Sequence, residues 1–315
     1  METQIKRDPG KRIKSTDLEN ITPFIWLNNQ AEEAANFYTS IFNNSQIYSA
    51  NRYGDEGANI AGVPAGTVMT VNFSIEGQDF VVLNGGPLFE ISPAISFMVY
   101  CETPHEIDTL WEKLSEDSTP MMELGKYPFS ERYGWIQDKF GVSWQLNLAE
   151  GTQKIMPCFL FVGKMDGKAE EAINFYTSLF KQGTINQLER YGVGESGTPG
   201  TLKFSRFSLN EQEFIAMDSN GNHPFNFTPG ISFMVICETQ QEIDHYWNNL
   251  TQGSDESAQQ CGWLNDKYGV TWQIIPSILE RLLGDPDPAK SGRVMRAMTP
   301  MKKIIIDQLF EAYNQ

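Results

Sequence analysis

Residues 134–146 read GWIQDKFGVSWQL, and residues 262–274 read GWLNDKYGVTWQI. Eight of the thirteen positions are identical and the other five exchange like for like, Phe140 for Tyr268 and Ser143 for Thr271 among them. The chain therefore carries a duplication. A repeat of well over ~50 residues exceeds the ~20–50 of solenoid units, so each copy is expected to be a whole domain. Each motif reads as two short β runs meeting at Asp-Lys-aromatic-Gly, where Gly141 and Gly269 can supply the positive φ of a hairpin turn.

Upstream of the first motif, ITPFIWL (21–27) is a β run, and AEEAANFYTSIF (31–42) places Ala34, Phe37, Tyr38, Ile41 and Phe42 on one helical face. Strands are expected around Gln46–Tyr53, Thr67–Ile75 and Phe80–Leu83, with Gly77 marking a turn. A second round opens at AISFMVYC (94–101). Thr103 can cap the next helix, Pro104 suits its first position and Glu106 completes a capping box. Ile107, Leu110, Trp111 and Leu114 form that helix's apolar face. A short strand near Met121–Leu124 and the 134–146 hairpin follow, so one copy contains two βαβββ modules.

The second copy runs the same course, with IMPCFLFV (155–162), AEEAINFYTSLF (169–180), ERYG (189–192) against NRYG (51–54), and ISFMVICET (231–239) against ISFMVYCET (95–103). Residues 276–315 stand outside the repeat. There PSILERLL and the apolar spacing of Val294, Met295, Met298, Met301, Ile304, Ile305, Leu309 and Phe310 predict helices packed on a domain or on a partner subunit.

At 315 residues, with 40% hydrophobic and 12% aromatic content, the chain is long enough for about two globular domains. No apolar run approaches the ~20 residues of a membrane helix, and the opening METQIKRDPGKRIKS has no apolar signal core, so a cytoplasmic location is expected. A net charge of −16 disfavours nucleic acid as a partner. Only residues 1–14 are basic, reading either as a solvated tail or as a contact for an anionic partner. The four cysteines form no CxxC pair. Cys101 and Cys237 sit inside apolar strands, as buried free thiols do.

The series PFIWL…AEEAANFYTSIF…NRYG…ISFMVYCET…GWIQDKFGVSWQL resembles the PhnB-like branch of the vicinal oxygen chelate superfamily, whose relatives include glyoxalase I, dihydroxybiphenyl-type dioxygenases and bleomycin-resistance proteins. This branch often bears the inherited label 3-demethylubiquinone-9 3-methyltransferase. The resemblance covers residues 21–275, and MRAMTPMKK is also similar to the tail of such proteins. It implies an α+β fold of two tandem glyoxalase-like domains (21–150 and 155–276), each a half-open barrel of paired βαβββ modules. A polar tail (1–20) precedes them and a helical extension (277–315) follows. Modules could pair within each half or across the halves, and the chain could be a monomeric pseudo-dimer or a homodimer.

Family metal ligands, usually His or Glu, map by the resemblance onto Pro23 and Pro157, Ser96 and Ser232, Gln145 and Gln273, and a position near Asn84 or Asp218. Metal ions in such sites are held by imidazole and carboxylate groups, and Pro, Ser and Gln supply neither. No metal and no cofactor is therefore expected. The remaining polar set, in a cup lined in part by Ile25 and Leu27, has the make-up of a small-molecule pocket. Arg52 and Arg190, each followed by Tyr-Gly, read as an anion clamp at the cup's rim or as salt-bridge partners of the many acids.

Residues 192–197, GVGESG, match GxGxxG formally but lie between expected strands, where the motif binds no nucleotide or S-adenosylmethionine. His105, His223 and His245 are too scattered for a catalytic triad. Three functional readings follow. One is a metal-independent protein binding a small organic molecule through Ile25, Arg52, Asn84, Ser96, Gln145, Arg190, Asp218, Ser232 and Gln273. Another is a metal-dependent lyase, isomerase or dioxygenase of the glyoxalase type in which Asp218, Glu56 or another carboxylate restores the ligand set. The third is an interaction protein with collapsed cups.

Overall fold

The computed structural model describes residues 21–149 and 154–315. The expected basic tail lies outside the described residues. The first copy contains β1 (Ile21–Leu27), α1 (Ala31–Ile41), β2 (Gln46–Arg52), α2 (Asp55–Ala61), β3 (Val68–Ile75) and β4 (Gln78–Asn84). It continues with β5 (Ile95–Cys101), α3 (Pro104–Leu114), β6 (Thr119–Tyr127), β7 (Ser130–Gln137) and β8 (Ser143–Leu148). The second copy contains β9 (Ile155–Val162), α4 (Ala169–Leu179), β10 (Thr184–Arg190), β11 (Leu202–Leu209) and β12 (Gln212–Ser219), then β13 (Ile231–Cys237), α5 (Gln240–Leu250), β14 (Trp263–Asn265) and β15 (Thr271–Pro276). Helices α6 (Ile278–Leu283), α7 (Pro288–Met298) and α8 (Ile306–Asn314) form the extension.

Local chemistry sets these elements. Thr103 Oγ1 accepts the Glu106 backbone N–H and Thr239 Oγ1 that of Glu242, while each glutamate reaches back to the N–H of the residue before its cap. The helix α2 fills the β2–β3 connection, which carries no apolar periodicity in sequence. GVGESG lies in the corresponding β10–β11 connection, strand to strand, with no helix after it.

The strands form two sheets, ordered β14-β15-β13-β1-β4-β3-β2 and β10-β11-β12-β9-β5-β8-β7-β6. Each sheet mixes the two copies. β1 runs antiparallel to β13 with Phe24 opposite Ser232, and β5 antiparallel to β9 with Ser96 opposite Cys158. Modules thus pair across the sequence halves, and the repeat boundary is not a sheet boundary.

Alternation along the strands gives every sheet two faces. The inner faces meet each other and the helices in one core. Phe80 of one sheet stands 5.0 Å, centroid to centroid, from Phe97 of the other, and Phe159 stands 5.1 Å from Phe233. The outer faces lie on the other side of each sheet, where the cups are expected. On the eight-stranded sheet the outer face carries Met98, Tyr100, Tyr133, Trp135, Met156, Cys158, Leu160 and Ile215.

On the seven-stranded sheet, the C-terminal extension packs its apolar cluster of Leu279, Leu282, Val294, Met301, Ile304 and Leu309 against Ile275 of β15. Residues 301 and 302 accept backbone bonds from Cys261 and Gly262, beside the place that β6 holds in the other sheet. Among the described residues the second copy has no strand equivalent to β6, which leaves this sheet with seven strands.

Candidate functional site

Asp138 and Asp266, within the two repeated motifs, organise the hairpins from inside the core. Asp138 Oδ1 accepts the N–H groups of Phe140 and Val142, and Oδ2 accepts Tyr38 Oη (2.7 Å) and Trp144 Nε1 (2.8 Å). Asp266 repeats the arrangement with Tyr268, Val270, Tyr176 and Trp272. Burial raises the pKa of both carboxyls, against the pull of the hydrogen bonds they accept. Gly141 and Gly269 take φ of +84° and +92°, closing the turns above them. The sequence marked these motifs but gave no sign of the aspartates' role.

The hairpins aim Gln145 and Gln273 onto the outer faces, each almost wholly buried. Gln145 Oε1 accepts Tyr133 Oη at 2.6 Å, and its Nε2 donates to Ser96 Oγ at 2.8 Å, with Cys158 Sγ at 3.6 Å. Beside it, Trp135 Nε1 donates to Ser143 Oγ at 2.6 Å. In the seven-stranded sheet Gln273 Nε2 donates to Ser232 Oγ (2.9 Å), while Cys261 stands at the tyrosine's repeat position. Burial pushes the Cys158 thiol up to about 12, against the lowering effect of Ser96 and Gln145, so it is neutral and a poor nucleophile at neutral pH.

Asn147 continues the row from Ser143 through Gln145 and lies in register with Tyr100 and Tyr133. Its carbonyl Oδ1 is buried without a hydrogen-bond partner among the described residues. Few buried acceptors go unpaired, so this carbonyl is available to a donor from a bound molecule or from water.

The other expected site residues divide. Ser96 joins Gln145, and Ser232 joins Gln273. Ile25 belongs elsewhere: it is fully buried in the inner core, as Leu27 nearly is, because both lie on the strand face opposite the cup. Pro23 and Pro157 lie on that inner face too, opposite Phe233 and Phe97. The residues that share the outer face with Ser232 and Ser96 are Phe24 and Cys158, one place along.

Asn84 and Asp218 are helix caps rather than cup residues. Asn84 Oδ1 accepts the Ala31 N–H at the start of α1 (2.8 Å), and its Nδ2 donates to Val68 O. Asp218 accepts the N–H groups of Gly167, Ala169 and Leu202 at 2.8, 3.0 and 2.8 Å. Burial raises its pKa, and the three backbone donors oppose the rise. Arg52 and Arg190 stand at strand ends, Arg190 paired with Glu170 through two guanidinium nitrogens. Tyr133, Cys158 and Asn147 were missed in sequence. Alternation counted outward from Gln145 would have found Asn147, whereas Cys158 needs the β5–β9 register.

A metal of the kind held in vicinal oxygen chelate folds does not fit this donor set. Gln145 bonds both Tyr133 and Ser96, burial keeps the Cys158 thiol protonated, Asp218 serves three backbone groups and Glu56 pairs with Arg296. Among the described residues no group of three or more His, Cys, Asp or Glu side chains is placed to hold an ion.

Comparison with known proteins follows the repeat. A family model described as 3-demethylubiquinone-9 3-methyltransferase matches residues 19–147 and again 153–275. The PhnB protein from Bacillus cereus is 46% identical over 41% of this chain and 98% of its own, with a TM-score of 0.38. A Staphylococcus aureus protein is 35% identical over 41% of this chain and 96% of its own, with a TM-score of 0.17. Glyoxalase I from Zea mays, at 10% identity, covers 81% of this chain and 91% of its own with a TM-score of 0.51, a likeness of fold. No curated protein matches the chain.

Proposed function

The chain belongs to the 3-demethylubiquinone-9 3-methyltransferase family, the PhnB-like branch of the vicinal oxygen chelate superfamily, and from that membership we propose that it binds a small organic molecule without a metal. The cup of the eight-stranded sheet is the site. The observation that carries this reading is the orphaned Asn147 Oδ1 on a lining of Met98, Tyr100, Tyr133 and Trp135. An apolar lining with a few oriented polar groups suits a ligand with a flat or aliphatic body and at least one hydrogen-bond donor. Gln145, Ser96 and Tyr133 hold the floor rigid. The methyl transfer in the family's description draws no support from GVGESG, which lies between two strands.

A thermal-shift screen of organic metabolites, run with and without EDTA, tests the proposal. A ligand at a hundred times its dissociation constant raises stability by about 2.7 kcal/mol. The expected hits keep their shift in EDTA and lose it in Asn147→Leu. Hits that vanish in EDTA, or that survive Asn147→Leu unchanged, overturn the reading. A second reading, an interaction protein with a filled cup, is favoured by Gln145 having partners at both ends of its amide. It predicts no hits at all.

A further inference from the structure

A cavity lies apart from that cup. It is a cleft of about 340 Å³ between α2, the end of β2 and the extension helix α7, lined by Arg52, Glu56, Met69, Leu283, Met295 and Arg296 among others. Arg296 Nη1 bonds Glu56 Oε2 at 2.9 Å, and the Met295 methyl lies against Gly57, so α7 is fastened to α2 across the cleft. The repeat supplies an internal control for its cation. In the second copy Arg190 is closed off by Glu170, which takes two of its guanidinium nitrogens. In the first copy the equivalent acid, Glu32, stands 4.0 Å from Arg52, beyond hydrogen-bond distance. Arg52 keeps one bond, from Nη1 to the Gly66 carbonyl, and its side chain is 58% exposed. The same repeat position thus holds an arginine closed by a bidentate acid in the second copy and, in the first, an exposed arginine on a cavity wall with its acid 4.0 Å away.

We propose that this cleft binds a small organic monocarboxylate, its carboxylate on Arg52 and its apolar body on Met69, Leu283 and Met295. Guanidinium presents parallel N–H donors that match a carboxylate. The methionine-rich wall adapts to varied apolar shapes. Asp55 and Glu56 on the same lining argue against a phosphate dianion, since like charges so placed weaken binding. The volume lies near the lower end of small-molecule pockets and sets the ligand's size. Helix α7, from the C-terminal extension, walls this site against α2 of the first copy.

Calorimetric titration of the full chain with hexanoate, hexanamide and hexyl phosphate tests the assignment. Hexanoate is expected to bind, with hexanamide and hexyl phosphate each weaker. Arg52→Gln should weaken hexanoate about tenfold, the loss of one charge-assisted pair, whereas Arg190→Gln should leave it unchanged. Both arginines are exposed, so melting temperatures near wild type check that each variant folds. No hexanoate binding, equal binding by hexanamide, tighter binding by hexyl phosphate, or an unaltered affinity in folded Arg52→Gln would each overturn the proposal. None of these outcomes bears on the Asn147 cup.

Discussion

At the scale of single residues, the outer face of the eight-stranded sheet separates side chains that support the fold from one that does not. Tyr133 satisfies Gln145, so Tyr133→Phe strands a buried amide oxygen and is expected to cost about 1–3 kcal/mol in urea unfolding. Asn147 behaves in the opposite sense. Replacing its unpaired carbonyl with the near-isosteric leucine should leave the protein as stable or more stable, by up to about 1 kcal/mol, while abolishing ligand binding. A destabilised Asn147→Leu would mean that the carbonyl already has a partner. Glu171 gives a pH signature: Lys168, Tyr268 and Lys267 hold its exposed carboxyl down at about 2. A depressed folded pKa contributes stability above the ordinary value of 4.5 that disappears as pH falls toward about 2. The melting difference between wild type and Glu171→Gln should therefore be present at pH 7 and shrink steadily below pH 4.5. A difference that grows on acidification contradicts this.

At the scale of elements, the paired caps show how one repeat position took on different strength. Asn84 serves one backbone N–H at the start of α1, and Asp218 serves two at the start of α4 and one at the start of β11. Asp218→Ala should cost more than Asn84→Ala, about 2 kcal/mol or more against about 1, in denaturant titrations. The strands likewise protect their thiols: burial pushes Cys101, Cys158 and Cys237 each up to about 12. Iodoacetamide labelling of native protein, followed by mass spectrometry, should modify the half-buried Cys261 first and the other three only on unfolding.

The elements themselves were largely legible. The helical face of 31–42, both capping boxes and both hairpins appear in the structure where the spacing of apolar and capping residues places them. The cup was less so. Ile25 was placed on the wrong side because a one-residue shift along a strand exchanges faces, and β1 has apolar residues on both. Helix α2 was not foreseen, since DEGANIA offers too short a run for a helical period to register.

At the scale of the whole molecule, each half leaves β1 and β5, or β9 and β13, to pair with the other half. A fragment of residues 1–149 alone would expose those edges, and unpaired strand edges recruit partners. It is expected to form a homodimer in which β1 of each copy pairs with β5 of the other, measurable by light scattering. A stable monomer would contradict the exchanged topology.

The duplication, the strand and helix order and the capping boxes were determined by sequence alone, because they depend on residues within a few turns or strands of each other. Which modules share a sheet was decided only by the tertiary structure. β5 and β13 both begin ISFMV, so β1 meets an equivalent edge in either half, and local sequence offers no energetic difference between the two pairings. The same holds for the cleft at Arg52. Its wall arrives from α7, some 240 residues along the chain, and only the packing of the extension on the seven-stranded sheet brings Arg296 and Met295 there.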